Sequence, residues 1–442
     1  MGMNIKVRVA DILKFILLYS VVLNFLCFTF AIPSLFLYAN DFFLLVSWVT
    51  CIIKKRTVVS TFVPMLVTVL AGMFFLLTTL SFLYNFSSPL YYFWGLRNTG
   101  RFFLYFFVAS SVLTKNDVYD LFNLLLKALP INVVLCTIQY MLVLRTGNAE
   151  MKQFIGDYVG GMFGSYKGCN RILNIYIIFV LAYYLASFLK NELSIRALIW
   201  NVLTCAYISV LSELKVVAFE AFVVAVLLIR IILKKRNWFL VLTMSLLGIL
   251  LIINLWGMLS PTTIMPLLSI EAFIEYTSAS SYGLNSLNRL TVLPYIYERF
   301  FENNPIQFMI GIGLGNADYS GFAFLTTPVY ERYGYLKYHY FMHGMLFLET
   351  GFIGIVLYVS FFVAYFLTMV KKLAKRPNTT AIEYAGVVFS AIAILCVFYN
   401  TTLRSEVSCY LAAFFMAVPI ICSNRETEKP SGQRNRRQRV SF

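Results

Sequence analysis

Histidine is almost absent from this chain, and only His339 and His343 occur in 442 residues. Charged residues are also few, at 13%, whereas hydrophobic residues make up 60% and the mean hydropathy is +0.77. A soluble domain of this size could not bury so much apolar surface. Apolar runs of bilayer-spanning length recur along the sequence, and this pattern predicts an all-α integral membrane protein.

The sequence also lacks the common motifs for nucleotides and metals. No Walker sequence is present, and the eight cysteines are scattered without a CxxC pair or a Cys/His cluster. Their spacing argues against a disulfide framework and a zinc site, so we expect neither metal nor cofactor. The first apolar run follows Lys6 and Arg8 without a small-x-small cleavage site, so we expect an uncleaved first helix.

Apolar segments of roughly 17–25 residues predict about twelve transmembrane helices. They lie near residues 12–32, 34–53, 58–84, 100–114, 128–144, 172–189, 197–213, 216–233, 238–258, 341–369, 380–399 and 405–422. Two hydrophilic stretches, at 145–171 and 259–340, interrupt this series. We therefore expect a transmembrane region at 1–258, a large extracytoplasmic loop between spans 9 and 10 at 259–340, a second transmembrane region at 341–423 and a basic tail at 424–442.

Positive charges exceed negative charges by 16. In a soluble protein this excess would suggest a nucleic acid partner. Here the basic runs at 54–56, 234–236, 371–376 and 434–439 follow even-numbered spans. The positive-inside rule then places both termini in the cytoplasm and residues 259–340 outside. We expect the bilayer, and no nucleic acid, to account for the charge.

Several basic residues remain on the predicted outer face, against the usual bias. Those that flank apolar segments include Arg97, Arg101, Arg171, Lys215, Arg289 and Arg404. One interpretation is pairing with nearby acids, with Glu406 as the partner of Arg404. Lys215 would then pair with Glu213 or Glu220. The other is a polyanionic ligand at the outer leaflet, such as a lipid-linked diphosphate, because guanidinium groups bind phosphate oxygens bidentately.

A glycine-rich sequence, "GIGLGN" at 311–316, lies in the predicted outer loop. Residues 290–301 before it have helical apolar spacing, and Asn303, Asn304 and Pro305 break that helix. The glycines lack the spacing of a dinucleotide fingerprint, and no βαβ unit surrounds them. Further on, "ETGFIG" at 349–354 opens an apolar span.

Taken in order, Arg289, the "ENNP" breaker, "GIGLGN" and "ETGFIG" resemble the large outer loop of the O-antigen ligase and polysaccharide polymerase superfamily of bacterial membrane glycosyltransferases. "GGMFGSYKGCNRILN" at 160–174 is similar to an earlier segment of that family. "LSELKVVAF" at 211–219 occupies the place of the family's serine–arginine turn, with Lys215 instead of arginine. The resemblance covers roughly residues 160–360.

The resemblance implies a metal-independent glycosyltransferase of the bacterial cytoplasmic membrane that acts on undecaprenyl-diphosphate-linked oligosaccharides. We expect a polymerase of repeat units for O-antigen, capsule or exopolysaccharide, with a chain-length regulator and a flippase as candidate partners. An O-antigen ligase of the same superfamily is one alternative. A lipid-linked oligosaccharide flippase is another, although the sequence has no convincing internal repeat. The leaving diphosphate would be bound by basic residues, and the preferred candidates, in decreasing order, are Arg289, Lys215, Arg171 and Arg101. Arg97 and Arg404 are further candidates.

The two histidines lie at the mouth of the tenth predicted span. The family's usual histidine position falls on Tyr340, between His339 and His343, so the assignment stays open. The imidazoles, four residues apart, would share one helical face if the span began this early. They are either interfacial polar residues, or one of them, with His343 favoured, accepts the proton of an attacking sugar hydroxyl. Glu349 would orient a partner or pair with a cation.

Overall fold

The structure is a computed structural model that describes residues 8–54, 60, 62–233 and 286–423. Within these ranges the chain is helical and contains no β-strand, as expected for an all-α membrane protein. The longer helices are α1 (Val9–Phe30), α2 (Ala39–Ile53), α3 (Met65–Tyr84), α4 (Pro89–Val112), α5 (Lys115–Thr146), α7 (Asn170–Leu189), α8 (Ile195–Leu211), α9 (Lys215–Ile232), α13 (Met342–Ala374), α14 (Ala381–Tyr399) and α15 (Glu406–Ser423). The short helices are α6 (Ala149–Gln153), α10 (Val292–Ile296), α11 (Pro305–Ile310) and α12 (Pro328–Tyr333).

Eight helical segments of the described chain are long and apolar enough to cross a membrane. They are α1, α3, α5, α7, α13, α14, α15, and α2 together with the 3₁₀ turn Ser34–Tyr38 that precedes it. The chain is thus a multi-pass membrane protein. Helices α4, α8 and α9 pack among these eight but are shorter or more polar. The predicted span at 238–258 lies outside the described residues, so the total of about twelve spans stays a prediction.

Helix α5 begins thirteen residues before the predicted start of its span, at Lys115 rather than residue 128. A capping box explains the early start, because the Thr114 and Asp117 side chains each accept the other residue's backbone amide hydrogen. Lys14 of α1 lies 3.0 Å from the Asp117 carboxylate and ties this end of α5 to the first helix. Likewise α4 begins at Pro89, so Arg97 and Arg101 lie inside a helix and not at its start.

Helix α15 is buried along nearly its whole length and forms the centre of the bundle. It packs against α4 and α14, while α14 also contacts α7 and α13, and α13 contacts α3. Phe415 of α15 stacks on Phe179 of α7 with ring centroids 3.7 Å apart. All eight cysteines are buried as free thiols. The bundle core is therefore apolar and aromatic, and the charged side chains gather at its two ends.

One end of the bundle collects basic residues that the sequence predicts to be cytoplasmic. Lys372 donates to the backbone carbonyl of Phe62 at 2.8 Å. Arg376 forms an ion pair with Glu383 at 2.7 Å. The predicted outer residues gather at the opposite end, where α13 and α15 begin and α14 ends. The structure sorts the charges into the two groups that the sequence predicts, and which group faces outward stays a prediction.

Helix α13 is broken at Gly351, whose φ of 66° and ψ of −169° are not helical. The glycine-rich sequence fills the break, because the amides of Ile312 and Gly313 donate to the carbonyls of Leu348 and Glu349 at 2.9 and 3.1 Å. A Cβ on Gly351 would lie 2.4 Å from the backbone of Met309, so only glycine allows the two segments to approach this closely. The break fixes the outer loop onto α13.

Residues 160–164 were predicted to lie in an outer loop, but they are inserted among α1, α5 and α7. The side-chain oxygen of Gln139 accepts hydrogen bonds from the backbone amides of Gly160 and Gly161 at 3.1 and 2.7 Å. Asn24 donates to the Phe163 carbonyl at 2.5 Å, and Asn132 accepts from the Met162 amide at 2.8 Å. Buried side-chain amides thus satisfy backbone groups that the short 3₁₀ turn Gly161–Phe163 leaves unpaired.

Candidate functional site

Arg404 is the centre of a buried ion network at the predicted outer end. Its guanidinium lies 2.7 Å from Asp318 and 3.3 Å from Glu349. All three side chains are buried. Glu349 therefore pairs with a cation at the broken part of α13. Arg404 thus links the broken part of α13 and the segment that contains Asp318 to the turn before α15.

Arg97 and Arg101 of α4 extend this network. Arg97 lies 2.6 Å from Asp41 and 3.6 Å from Glu406, and Arg101 lies 3.7 Å from Glu406. Arg101 also donates to the backbone carbonyl of Arg404. The expected pairing of Arg404 with Glu406 is wrong, because α4 brings its own two arginines to that carboxylate. Three of the six predicted phosphate-binding residues are thus neutralised by acids.

Asp318 was missed by the sequence analysis although it follows "GIGLGN" by one residue. It accepts hydrogen bonds from Arg404 and from Asn98, each at 2.7 Å. Asn316 donates to Ser87 at 2.6 Å, just before α4. An acid directly after a glycine-rich turn is too common a pattern to be singled out, and only the fold shows its partners.

The turn between α14 and α15, residues 399–404, also binds the other two predicted arginines. Arg289 donates from Nε to the carbonyl of Tyr399 at 2.9 Å, and its guanidinium lies 4.2 Å from the centre of the Tyr399 ring. Arg171 donates from Nη1 to the hydroxyl of Thr401 at 3.1 Å. Since Tyr399 and Thr401 are two residues apart, their Cα atoms are separated by at most about 7 Å. Four arginines from distant parts of the chain thus meet at one turn.

Arg171 and Arg289 differ from the other arginines of this turn. Both are half-buried, and within the described ranges no carboxylate forms an ion pair with either of them. The Nε atom of Arg171 is buried and has no hydrogen-bond partner among the described residues. Guanidinium groups in this state have unused capacity for an anionic ligand.

Comparison of this chain with protein-family models, with curated proteins and with solved structures finds no match.

His343 lies in the first turn of α13, in an aromatic pocket with Phe341 and Phe398. Its Nε2 is 3.0 Å from the backbone carbonyl of Arg289. Since a carbonyl only accepts, Nε2 carries the hydrogen in this bond. The imidazole therefore holds the backbone of Arg289 in place, and its buried Nδ1 has no hydrogen-bond partner in the described structure.

His339 does not share a helical face with His343, because α13 begins only at Met342 and His339 lies in a 3₁₀ turn before it. Its ring contacts the rings of Tyr319, Tyr330, Tyr338 and Tyr340, with centroids 4.5–5.7 Å away. Burial, and then the charges of Lys337 and Arg171, lower the pKa of His339 to about 4. This imidazole is neutral at physiological pH and lies near Arg171.

Lys215 is the first residue of helix α9. It lies near Asp157, an acidic residue that was not predicted from the sequence. Burial raises the pKa of Asp157, and Asn170, Lys167, Arg171 and Lys215 partly offset this effect. Burial also raises the pKa of Glu213, and the positive charge of Lys215 partly offsets this rise. The other suggested partner, Glu220, instead accepts a hydrogen bond from Asn174 at 2.9 Å. The lysine therefore borders the site on the side of Arg171.

The geometry brings together two imidazoles, a set of phenols and two half-buried arginines that form no ion pair within the described ranges, all at one end of the bundle. In the described parts of the chain, no group of three or more His, Cys, Asp or Glu side chains is arranged to hold a metal ion. Such a site can bind a polyanion between Arg171 and Arg289, and a neutral imidazole beside it can accept a proton.

Proposed function

We propose that this protein polymerises undecaprenyl-diphosphate-linked oligosaccharide repeat units on the outer face of the bacterial cytoplasmic membrane. The observation that carries the proposal is the position of Arg171 and Arg289, which are held on the same turn and form no ion pair with a carboxylate of the described residues. Their charge is available to a diphosphate group. The resemblance of the loop sequence supplies the substrate class.

In this mechanism, the terminal sugar hydroxyl of an incoming lipid-linked repeat attacks the anomeric carbon of the growing chain. The new glycosidic bond forms as the bond between that carbon and the diphosphate oxygen breaks. Arg171 and Arg289 stabilise the negative charge that develops on the leaving diphosphate. The hydroxyl proton passes to an imidazole.

We assign the part of proton acceptor to His339, because its ring lies near Arg171, where the diphosphate would be held, although its lowered pKa makes it a weaker base than an ordinary imidazole. His343 instead donates its Nε2 hydrogen to the backbone carbonyl of Arg289. The sequence analysis favoured His343 as the base. The geometry supports His339 as the base and His343 as the residue that positions Arg289.

The proposal is tested with the full-length protein in liposomes supplied with lipid-linked repeat units. We expect Arg171→Ala and Arg289→Ala each to reduce polymer formation by about 10²–10³-fold, the cost of removing one group that stabilises developing charge. Arg299→Ala is the matched control, because Arg299 is an exposed arginine of the same loop that contacts Tyr333. Normal polymer from both Arg171→Ala and Arg289→Ala would overturn the proposal.

The same assay separates the alternatives. A polymerase lengthens the glycan when lipid-linked repeats are the only glycans present. An O-antigen ligase forms a product only when a separate acceptor is added, and a flippase moves the lipid-linked glycan across the bilayer without forming a new bond. Product without any added acceptor is the result that we expect.

A further inference from the structure

An apolar groove lies between α7, α8 and α9, away from the ion network. Its cavity volume is about 130 Å³. The lining residues are Leu181, Leu185, Leu198, Val202, Ala206, Ser209, Val210, Leu214, Val217, Ala218, Ala221 and Val224. The one polar side chain, Ser209, donates its hydroxyl hydrogen to the carbonyl of Cys205 at 2.7 Å. The groove therefore offers an apolar surface to whatever occupies it.

The groove has a direction along α9, from Leu214 at the predicted outer end to Val224. At the helical rise of 1.5 Å per residue this is about 15 Å, which is half of the roughly 30 Å hydrocarbon core. On the neighbouring helices the lining continues to Leu185 and Leu198, which lie within four residues of the predicted cytoplasmic ends of α7 and α8, so the groove follows most of the length of these helices.

The outer end of the groove reaches the cationic site. Ser212, two residues before Leu214, accepts a hydrogen bond through its carbonyl from Asn170 at 3.1 Å. Asn170 directly precedes Arg171 in helix α7. An apolar groove that ends two residues from a contact with the neighbour of Arg171 matches a ligand with a hydrocarbon chain and an anionic head.

We infer that this groove binds the hydrocarbon chain of the lipid whose diphosphate is held at Arg171. The inference rests on the proposed function for its head group, and adds a site for the chain that extends into the membrane. Leu214 and Val217 would contact the part of the chain nearest to the diphosphate, and Val224 a part farther from it.

The first test maps the contact directly in the unaltered protein. A long-chain polyprenyl diphosphate that carries a photoreactive group near its head is bound to the full chain in nanodiscs, irradiated and traced by peptide mass spectrometry. We expect label in the peptides that contain Ala206 of α8 and Ala218 of α9. Label confined to other helices, or blocked equally well by excess phosphatidylglycerol, would overturn the inference, because another segment or bulk lipid would then fill the groove.

The second test fills the groove. Ala221→Trp places an indole in the lining, and Phe219→Trp is the matched control on the same helix, since Phe219 is 56% exposed on the outside of the bundle. We expect Ala221→Trp to weaken binding of the polyprenyl diphosphate by about tenfold or more, the effect of losing contact with two buried methylene groups. Unchanged affinity in a folded Ala221→Trp protein would overturn the inference.

Inorganic diphosphate as a competitor separates failure of the inference from failure of the proposed function. If Arg171→Ala leaves competition by inorganic diphosphate unchanged, the proposed head-group site is wrong. If that competition depends on Arg171 but Ala221→Trp does not affect the long-chain lipid, only the groove assignment is wrong. Where Ala221→Trp fails to fold, the photolabelling result decides.

Discussion

Arg404 and Asp318 form a buried ion pair, with Nη2 of the arginine 2.7 Å from Oδ2 of the aspartate. The pair joins the turn before α15 to the segment after the glycine-rich sequence. Asn98 of α4 donates to the same carboxylate oxygen, so that Asp318 connects three parts of the chain. The predicted outer loop is therefore fixed to the bundle by a buried ion pair.

Removal of this carboxylate should destabilise the protein strongly. We expect Asp318→Ala to lower the free energy of unfolding by about 3–5 kcal/mol, because Arg404 keeps its buried charge but loses its nearer partner. The measurement is the midpoint of denaturant-induced unfolding in detergent. The control is Glu150→Ala, which breaks the exposed ion pair between Glu150 and Lys167 and should cost at most about 1 kcal/mol. Equal effects of the two substitutions would contradict the buried network.

The break in α13 gives a second prediction. Gly351→Ala places a Cβ 2.4 Å from the backbone of Met309 at a φ of 66°, so the glycine-rich segment must move away from α13. We expect little folded protein, measured as the monodisperse fraction in size-exclusion chromatography. Gly72→Ala in helix α3 is the control, because no atom lies within 4 Å of its Cβ and alanine favours a helix. If both variants fold equally well, the close approach at Gly351 is wrong.

The environment of His339 predicts a dependence of stability on pH. Its pKa is about 4 in the folded protein, against about 6.5 when unfolded. Between pH 6.5 and 4, His339 binds a proton in the unfolded chain but not in the folded chain. The free energy of unfolding therefore falls as the pH drops from 6.5 towards 4. Above pH 6.5 this contribution does not change.

We expect His339→Gln to lose less stability than the unaltered protein over this pH range, as measured by thermal unfolding in detergent. Asp157 and Glu213, whose pKa values burial raises, act in the opposite direction, but they are present in both proteins. The difference between the two curves therefore reports His339. Parallel curves between pH 6.5 and 4 would show that this imidazole is not buried.

Composition and apolar periodicity predict the helical membrane architecture because hydrocarbon permits only segments that satisfy their own backbone. The same reasoning misplaces the start of α5, since a capping box and a contact with Lys14 extend this helix beyond its apolar part. The burial of residues 160–164 among helices was not predicted for a related reason. Their backbone is satisfied by Gln139, Asn132 and Asn24, and one sequence does not show which distant amides reach a loop.

The candidate site is only partly readable from the sequence. Charge bias singles out the six basic residues, but their pairing depends on which helices meet. Glu406 lies two residues from Arg404 in the chain, yet it contacts Arg97 and Arg101 because α4 packs on α15. Arg171 and Arg289, which pair with no carboxylate in the described part of the chain, are distinguished only by the fold.

Orientation in the membrane can be tested with cysteine labelling, because all eight native cysteines are buried. Phe324 is 64% exposed in the outer loop, and Asn191 is exposed in the turn after α7. We expect a membrane-impermeant maleimide to label Phe324→Cys on intact cells, and Asn191→Cys only after the cells are permeabilised. The positive-inside rule is the reason for this expectation. The reverse pattern would place the site in the cytoplasm and remove the basis for the mechanism.

The two histidines give the last prediction, since the structure gives them different surroundings. A glutamine at position 343 can donate to the carbonyl of Arg289 as Nε2 of His343 does, whereas a leucine cannot. We expect His343→Gln to keep most of the polymer formation and His343→Leu to lose much of it, because only the leucine variant releases the backbone of Arg289.

His339→Gln should instead reduce the rate by about 10²–10⁴-fold, the typical cost of removing a general base, with little change in the binding of the lipid-linked repeat. Initial rates and substrate binding are measured for all three variants on the same liposome preparation. A large rate loss in His343→Gln with normal rates in His339→Gln would make His343 the base. Normal rates in all three variants would leave both imidazoles as interfacial polar groups, because neither proton transfer nor the position of Arg289 would then depend on them.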